Sequence, residues 1–541
     1  MTASKEATQS TLSTRSRIWP LVLACCLFLV NNLDLLRAWL QPPAGTRPMY
    51  VRRDIDVAIH LTWMNGLRSH WLIPNYDLPF VTKPGLFAPL MTVLGRITAI
   101  GVDPALLYTA AQFLAYLVGA YALFAGMRLF LTSRRQMYAA ALCILCVCPL
   151  GDVLRFMKGL AVHNLKIESL FGFPSYEGFV LPGSLTMTIG TVSVLLALAL
   201  LASYIRTGNF VFLLSTGLTA GMSGLFHPFE TVAIMAGAAS SIGYLRWPRV
   251  RVAIREALTV CVPGVMALSL YAYFSFRTRW IARLATMNAP EPLNPVRLLY
   301  RLGIPAILAC LILVIGPRMR KSSDVILQCW FAATLLVMMI PKLPFRFHLV
   351  DGLSVVTALL VVRQFSTISF LQSWVARHRR FALAVGGLVI AVSAAMHLLT
   401  RYADLRDGNR LSGPVASEEE TATVNWLRRN AHPEELVLAP PDSAPWIATV
   451  PIHSFASHPL FGFDYPAQMQ LARDFYDGKM DSAVTYAFLS RYGINYVVVS
   501  ANSPVRQFLD QRHEVARILS WTIYYFPEHR MTPYEEAGSL P

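Results

Sequence analysis

Long apolar runs, separated by short charged or Pro/Gly-containing breaks, fill the chain to about residue 399, where the pattern changes to mixed polar and apolar. An α-helix rises 1.5 Å per residue and the hydrocarbon of a bilayer is about 30 Å thick, so roughly 20 apolar residues cross it. Runs near 18–40, 104–127, 136–151, 183–205, 210–226, 229–246, 256–275, 303–317, 325–341, 349–366 and 381–399 predict about eleven membrane spans. The first run is long and has no Ala-x-Ala cleavage pattern before Gln41, so it reads as a retained span. Beyond residue 400 an amphipathic helix is predicted over 418–430, a strand from Leu436 to Ala439, a second helix over 483–492 and a second strand from Asn495 to Val499. The expected fold class is mainly α: a polytopic membrane helix bundle with a small α/β or α+β C-terminal domain. Its divisions are a tail over 1–17, the bundle over 18–399 and the soluble domain over 400–541.

Composition agrees, with 55% hydrophobic and only 14% charged residues. The net charge of +16 does not point to nucleic acid, because Lys and Arg are spread over short loops rather than gathered in a basic soluble domain. With eleven spans, Arg15 and Arg17, Arg128/Arg134/Arg135, Arg206, Arg246/Arg249/Arg251, Arg318/Arg320/Lys321 and Arg377/Arg379/Arg380 all fall on one side. The positive-inside rule then makes the N-terminus cytoplasmic and puts the C-terminal domain on the periplasmic or extracellular side. The opposite loops are also basic, at Arg52, Arg53, Lys83, Arg155, Lys158, Lys166, Lys342 and Arg346 among others, which calls for an anionic partner there or for contact with lipid headgroups. The Cys143-x-x-Cys146-x-Cys148 spacing lies in a span without His or acidic partners and reads as core.

The first outer loop, over 41–103, is much longer than a usual connection, and long ordered loops tend to carry function. It contains Arg52-Arg53-Asp54-Ile55-Asp56-Val57-Ala58-Ile59-His60. A short helix is predicted from Asp56 to Leu67, with Ile55, Ile59, Trp63 and Leu67 on a face suited to the membrane interface and with Asp56 and His60 four apart on another. Asp54 stands where an N-cap would and Asp56 falls in the first turn, so capping accounts for them as well as chemistry does. A turn through Ile73-Pro74-Asn75-Tyr76-Asp77 and a second short helix near 85–99 follow. Elsewhere, His227 and Glu230 meet at a tight outer corner, where they contact sugar or acceptor, satisfy each other or cap the next helix. Asp34, three residues before Arg37, reads as a structural ion pair.

The Asp54-Ile55-Asp56 loop, the short helix with His60, the Pro/Tyr-rich turn and the eleven-span layout with an outer domain resemble the GT-C superfamily of polyprenyl-phosphate-sugar-dependent glycosyltransferases. The layout is similar to that of protein O-mannosyltransferase and aminoarabinose transferase relatives. In the tail, Trp426-Leu427-Arg428, Arg491-Tyr492-Gly493 and Tyr496-Val497-Val498-Val499 also resemble the outer domain of many bacterial members.

That resemblance implies an inverting transfer from a polyprenyl-phosphate sugar donor to a glycan, glycolipid or protein acceptor, in cell-envelope polysaccharide biosynthesis at a bacterial inner membrane. Asp56 or Asp54 would be the base, and His60, His227 and Glu230 would contact acceptor or sugar. The lipid phosphate would lie on Arg346 with Lys342 and His348, where a guanidinium grips phosphate in two places and a lysine acts as a point charge. No cofactor is expected. A divalent metal stays open, because some distant members hold one with an Asp-x-Asp and a further acid, although two carboxylates alone rarely do. A transporter or flippase of lipid-linked sugars is the alternative, and it would show repeats and broken mid-membrane helices.

Overall fold

The computed structural model describes residues 14–52, 55–80, 83–85, 87–146, 184–278, 305–314, 321–340, 349, 352–366, 369–381, 384, 387–388, 414–458 and 464–531. Asp54, Lys342, Arg346 and His348 lie outside the described residues.

The chain is mainly helical, and its helices follow the apolar runs. α1 (Thr14–Asn31) and α2 (Leu33–Leu40) form one run bent by 64°. The bend falls at Asn32, whose Nδ2 donates to Phe28 O at 2.8 Å, a local hydrogen bond that competes with helix continuation. Next come β1 (Thr46–Pro48), α3 (Ile55–Gly66), α4 (Pro89–Thr98), α5 (Pro104–Phe130) and α6 (Arg134–Cys146). The bundle continues with α7 (Leu185–Thr207), α8 (Phe210–Phe226), α9 (Pro228–Arg246), α10 (Val250–Arg277), α11 (Pro305–Val314), α12 (Ser322–Met338), α13 (Leu353–Phe365) and α14 (Ser369–Arg377). Among the described residues α5, α7 and α10 are long and apolar enough to cross a membrane, and the bent α1–α2 pair makes a fourth; α8, α11, α12 and α13 are shorter apolar helices. The run predicted over 381–399 falls almost wholly outside the described residues.

Local chemistry sets the ends of these helices. Asp103 caps α5 by accepting the Ala105 and Leu106 N–H groups at 2.9 Å, with Pro104 at the first helical position, where its missing N–H is harmless. α7 stops at Gly208, whose φ of +69° is the left-handed conformation that glycine adopts without strain.

Charged groups tie one end of the bundle together. Arg363 on α13 bonds Asp324 on α12 and the carbonyl of Phe130, the last residue of α5. Arg206 bonds the Leu129 carbonyl, and Arg246 pairs with Glu256 at 2.8 Å and reaches the Tyr204 hydroxyl at 3.1 Å. Tyr108 lies at the other end of α5, about 33 Å from Phe130 by helical rise, which is close to the thickness of a bilayer's hydrocarbon.

The C-terminal residues form a five-stranded mixed sheet ordered β4-β3-β5-β7-β6. β3 (Leu436–Leu438) pairs in parallel with β4 (His453–Ser454) and β5 (Tyr496–Ser500), while β7 (Trp521–Tyr525) pairs antiparallel with β5 and β6 (Glu514–Ile518). Helices α15 (Glu418–Asn430), α16 (Ala444–Ile447), α17 (Tyr465–Tyr476) and α18 (Ser482–Tyr492) surround it. Strand alternation divides the apolar side chains between two cores. Leu436, Leu438, Val497 and Val499 pack with Phe455, Phe475 and Phe488. Val437, Ala439, Tyr496 and Val498 pack with Val57, Leu61, Met64, Leu67 and Leu78 of the first outer loop. The loop and the domain therefore share a core, and β1 also pairs antiparallel with β2 (Val415–Ser417).

This sharing changes the reading of α3. Its sequence fits a helix lying along the membrane interface, but in the structure Val57 through Thr62 and Met64 through Leu67 are buried, with Asp56 and Trp63 only partly covered. The domain occupies the face that would otherwise have met lipid and water. Asp34 pairs not with Arg37 but with Arg52, whose Nε is 2.6 Å from Asp34 Oδ2.

Removing one partner of a buried ion pair costs about 3–5 kcal/mol, because the other charge is left in a low-dielectric site. Arg363→Met should therefore lower thermal stability in detergent markedly, and adding Asp324→Leu should restore much of the loss, as read by the unfolding midpoint.

Candidate active site

At the Tyr108 end of the bundle, side chains from four separate segments converge. α3 supplies Asp56 and His60 from its first two turns, and α5 supplies Tyr108. The α8–α9 corner supplies His227 and Glu230, and the segment after β4 supplies His458.

His60 is 6% exposed and stacks on Tyr108 with ring centroids 5.8 Å apart, its Nδ1 3.3 Å from the Tyr108 hydroxyl. That hydroxyl also accepts the Leu185 backbone N–H at 3.0 Å, so it holds the start of α7 and the His60 ring together. Burial first, and then the neighbouring His227 and His458 rings, push the His60 pKa down to about 3. His60 is thus neutral at any physiological pH.

At the corner, His227 Nδ1 lies 2.6 Å from Glu230 Oε2. Pro228 starts α9 and Glu230 falls in its first turn, where an acid favours the helix dipole. Glu230 is fully buried, and Gly190 of α7 passes directly over it. A Cβ at Gly190 would stand 2.4–2.7 Å from the three carboxyl atoms, so only glycine leaves room for them.

His458 Nε2 lies 4.0 Å from Asp56 Oδ1, and the two differ sharply in exposure, at 2% for the His458 side chain and 42% for that of Asp56. The distance meets an ion-pair criterion, but burial holds His458 near pKa 3, so the ring is neutral and the contact is dipolar rather than ionic. Asp56 thus has one open side and one side against a buried imidazole.

The neighbouring contacts fix this arrangement. Ser457 Oγ donates to Asp77 Oδ1 at 2.5 Å, the Ser454 N–H to Tyr76 O at 2.8 Å, and the His453 ring to Leu78 O at 2.7 Å. Thr62 Oγ1 and Asn65 Nδ2 donate to the carbonyls of Ala448 and Thr449 at 2.8 and 2.7 Å. Asp77 is fully buried and its Oδ2 has no hydrogen-bond partner among the described residues, so burial raises its pKa to about 6 against the pull of Ser457.

Of the residues singled out in the sequence, Asp56, His60, His227 and Glu230 thus come together, while Asp54, Lys342, Arg346 and His348 lie outside the described residues. Tyr108, His458, Ser457 and Asp77 were not picked out. Asp77 stands in a turn of evident interest, whereas nothing in the local sequence around His458 signals that it reaches the first loop. No group of three or more His, Cys, Asp or Glu side chains is arranged to hold a metal among the described residues.

No family model matches the sequence, and no curated protein matches it. Among solved structures, ArnT from Cupriavidus metallidurans bound to undecaprenyl phosphate is similar, with a TM-score of 0.49 and 14% identity over 95% of this chain and 98% of that one. The Archaeoglobus fulgidus oligosaccharyltransferase AglB, in complex with an inhibitory peptide and a dolichol-phosphate, gives a TM-score of 0.48 and 12% identity over 90% of this chain and 70% of that one. The oligosaccharyltransferase of the same organism with Zn and sulfate gives a TM-score of 0.49 and 12% identity over 88% and 68%.

Two outcomes follow from this geometry. The folded Asp77 carboxyl holds its proton up to about pH 6, whereas the unfolded one releases it near 3.8. The stabilisation from protonation is therefore complete below about pH 3.8 and is lost as pH rises through 6, a span worth about 3 kcal/mol. Because the buried His60, His453 and His458 rings act in the opposite direction, the test is a difference: the melting temperature of Asp77→Asn, which keeps an acceptor for Ser457, should rise relative to that of the wild type between about pH 4 and 6. Separately, Gly190→Ala should destabilise the protein by about 1–3 kcal/mol through overpacking against Glu230. Adding Glu230→Asp, which withdraws the carboxyl by one methylene, should recover part of the loss in the same melting assay.

Proposed function

We propose that this chain is an integral-membrane inverting glycosyltransferase that moves a sugar from a polyprenyl-phosphate donor to a glycan, glycolipid or protein acceptor. The observation that carries this reading is the half-exposed Asp56 carboxylate, set among neutral imidazoles at one end of a bundle of apolar helices. A carboxylate with one open side suits a general base, and the apolar helices beside it suit a polyprenyl chain. The charged ties at the other end of the bundle agree with that end being cytoplasmic.

In this mechanism Asp56 accepts the proton of an acceptor hydroxyl as its oxygen bonds the anomeric carbon. The bond from that carbon to the phosphate oxygen breaks, and the polyprenyl phosphate leaves with the electron pair. Asp54 is the alternative base. His60, His227 and Glu230 line the sugar or acceptor, and Arg346 with Lys342 and His348 neutralises the leaving phosphate, a task for which fixed cations replace a general acid. Residues 18–399 form the membrane part with about eleven spans, 1–17 a cytoplasmic tail and 400–541 a soluble domain on the periplasmic or extracellular side of a bacterial inner membrane. The reaction proceeds without a metal.

Purified protein in detergent, given undecaprenyl-phosphate-linked hexoses and pentoses, should release undecaprenyl phosphate as sugar is transferred, without any gradient. Asp56→Asn should reduce that rate at least 100-fold, a typical share for a positioned base. Wild-type turnover by Asp56→Asn would remove Asp56 as the base, and no release with any donor would favour a flippase.

A further inference from the structure

We infer that His458, delivered by the C-terminal domain, is a positioning residue for Asp56, so that the catalytic centre is a composite of the first outer loop and the soluble domain. This inference rests on the reading of Asp56 as the base. His458 follows a backbone that has little freedom. Ala456, buried and at a φ of +60°, turns the chain in the left-handed region that non-glycine residues rarely enter. That turn sends the Ser457 hydroxyl to Asp77 and the His458 ring toward Asp56. Non-glycine residues kept in this conformation are held there by surrounding contacts, and here those contacts are the hydrogen bonds from Ser454, His453 and Ser457 to residues 76–78.

A neutral imidazole beside a carboxylate acts as a dipole. In the tautomer that carries its proton on Nε2, its N–H favours the ionised acid and fixes which oxygen lone pair faces outward, without the net positive charge that would weaken the base more strongly. At 4.0 Å, Nε2 stands about 1 Å beyond hydrogen-bond distance, and such catalytic contacts commonly tighten when substrate closes the site. The open side of Asp56 is left for the acceptor hydroxyl, while the covered side belongs to the domain.

The test compares full-length His458→Ala and His458→Gln with the wild type, each alone and with Asp56→Asn. Carbodiimide and glycinamide labelling of Asp56, read by peptide mass spectrometry at pH 6.5, measures its protonated fraction and needs no sugar donor. Asp56 in His458→Ala should label at least threefold faster, and His458→Gln, whose amide N–H replaces the ring donor, should label like the wild type. Equal Asp56 labelling in all three would overturn the inference, as would faster labelling of every carboxyl together with a lower melting temperature, which marks a structural role. In the transfer assay, His458→Ala should lower kcat at least tenfold with little change in KM, Gln should rescue it, and neither change should matter once Asp56 is Asn. A drop from His458→Ala that persists in the Asp56→Asn background would overturn action through Asp56. Absence of transfer by the wild type would defeat the glycosyltransferase reading and leave the labelling result to decide the role of His458.

Discussion

A buried backbone must find hydrogen-bond partners, and the rest of this structure depends on how residues 73–80 meet that demand. They lie beneath the C-terminal domain, where water cannot satisfy their carbonyls. The segment around β4 supplies the donors, through the Ser454 N–H to Tyr76 and the His453 ring to Leu78. A set of hydrogen bonds fixed in direction and length tolerates one register, so the domain meets the outer loop in a single way. The apolar contacts of Val437, Tyr496 and Val498 with α3 add adhesion, and the polar bonds add register.

The same docking controls the electrostatics around Asp56. Covering α3 with a folded domain removes water from His60, His453 and His458, and each imidazole becomes a neutral dipole. Asp77, buried by the same contact, is driven in the direction burial always drives an acid, toward its protonated form. Asp56 keeps an open side because it stands at the start of α3, where the domain's cover ends. One covered face and one open face give the carboxylate an asymmetry that neither the helix nor the domain has alone.

The bundle contributes the other half of the arrangement. Tyr108 and Phe130 stand at opposite ends of α5, one touching His60 and the other the Arg363–Asp324 pair. Separating the polar site from the charged ties by a bilayer's thickness of apolar helix gives the molecule two chemically distinct ends. The packing of glycine against Glu230 shows how close the helices approach at the site end, where Gly190 leaves room for a carboxyl group and for nothing more.

Much of this was legible in the sequence. Helix positions in the bundle follow from apolar run length, since each run must bury or immerse itself, and the helix 418–430 is delimited by its own Ser417–Glu420 capping box. Asp56, His60, His227 and Glu230 could be picked out as candidates from charge and imidazole placed at helix starts beside apolar runs, and the structure brings them to one end of the bundle. The pairing of Asp34 with Arg52, the burial of α3 and the approach of His458 to Asp56 were not. The first needs a residue 18 positions away. The others join residues about 400 apart, and sequence periodicity carries information only over a few helical turns. The sequence by itself determined the main apolar helices of the bundle, the helices over 418–430 and 482–492, the strands over 436–438 and 496–500, and which side chains could do chemistry. Only the tertiary structure decided which of those side chains share a site, because that depends on one domain's hydrogen-bond donors meeting the buried carbonyls of a distant loop.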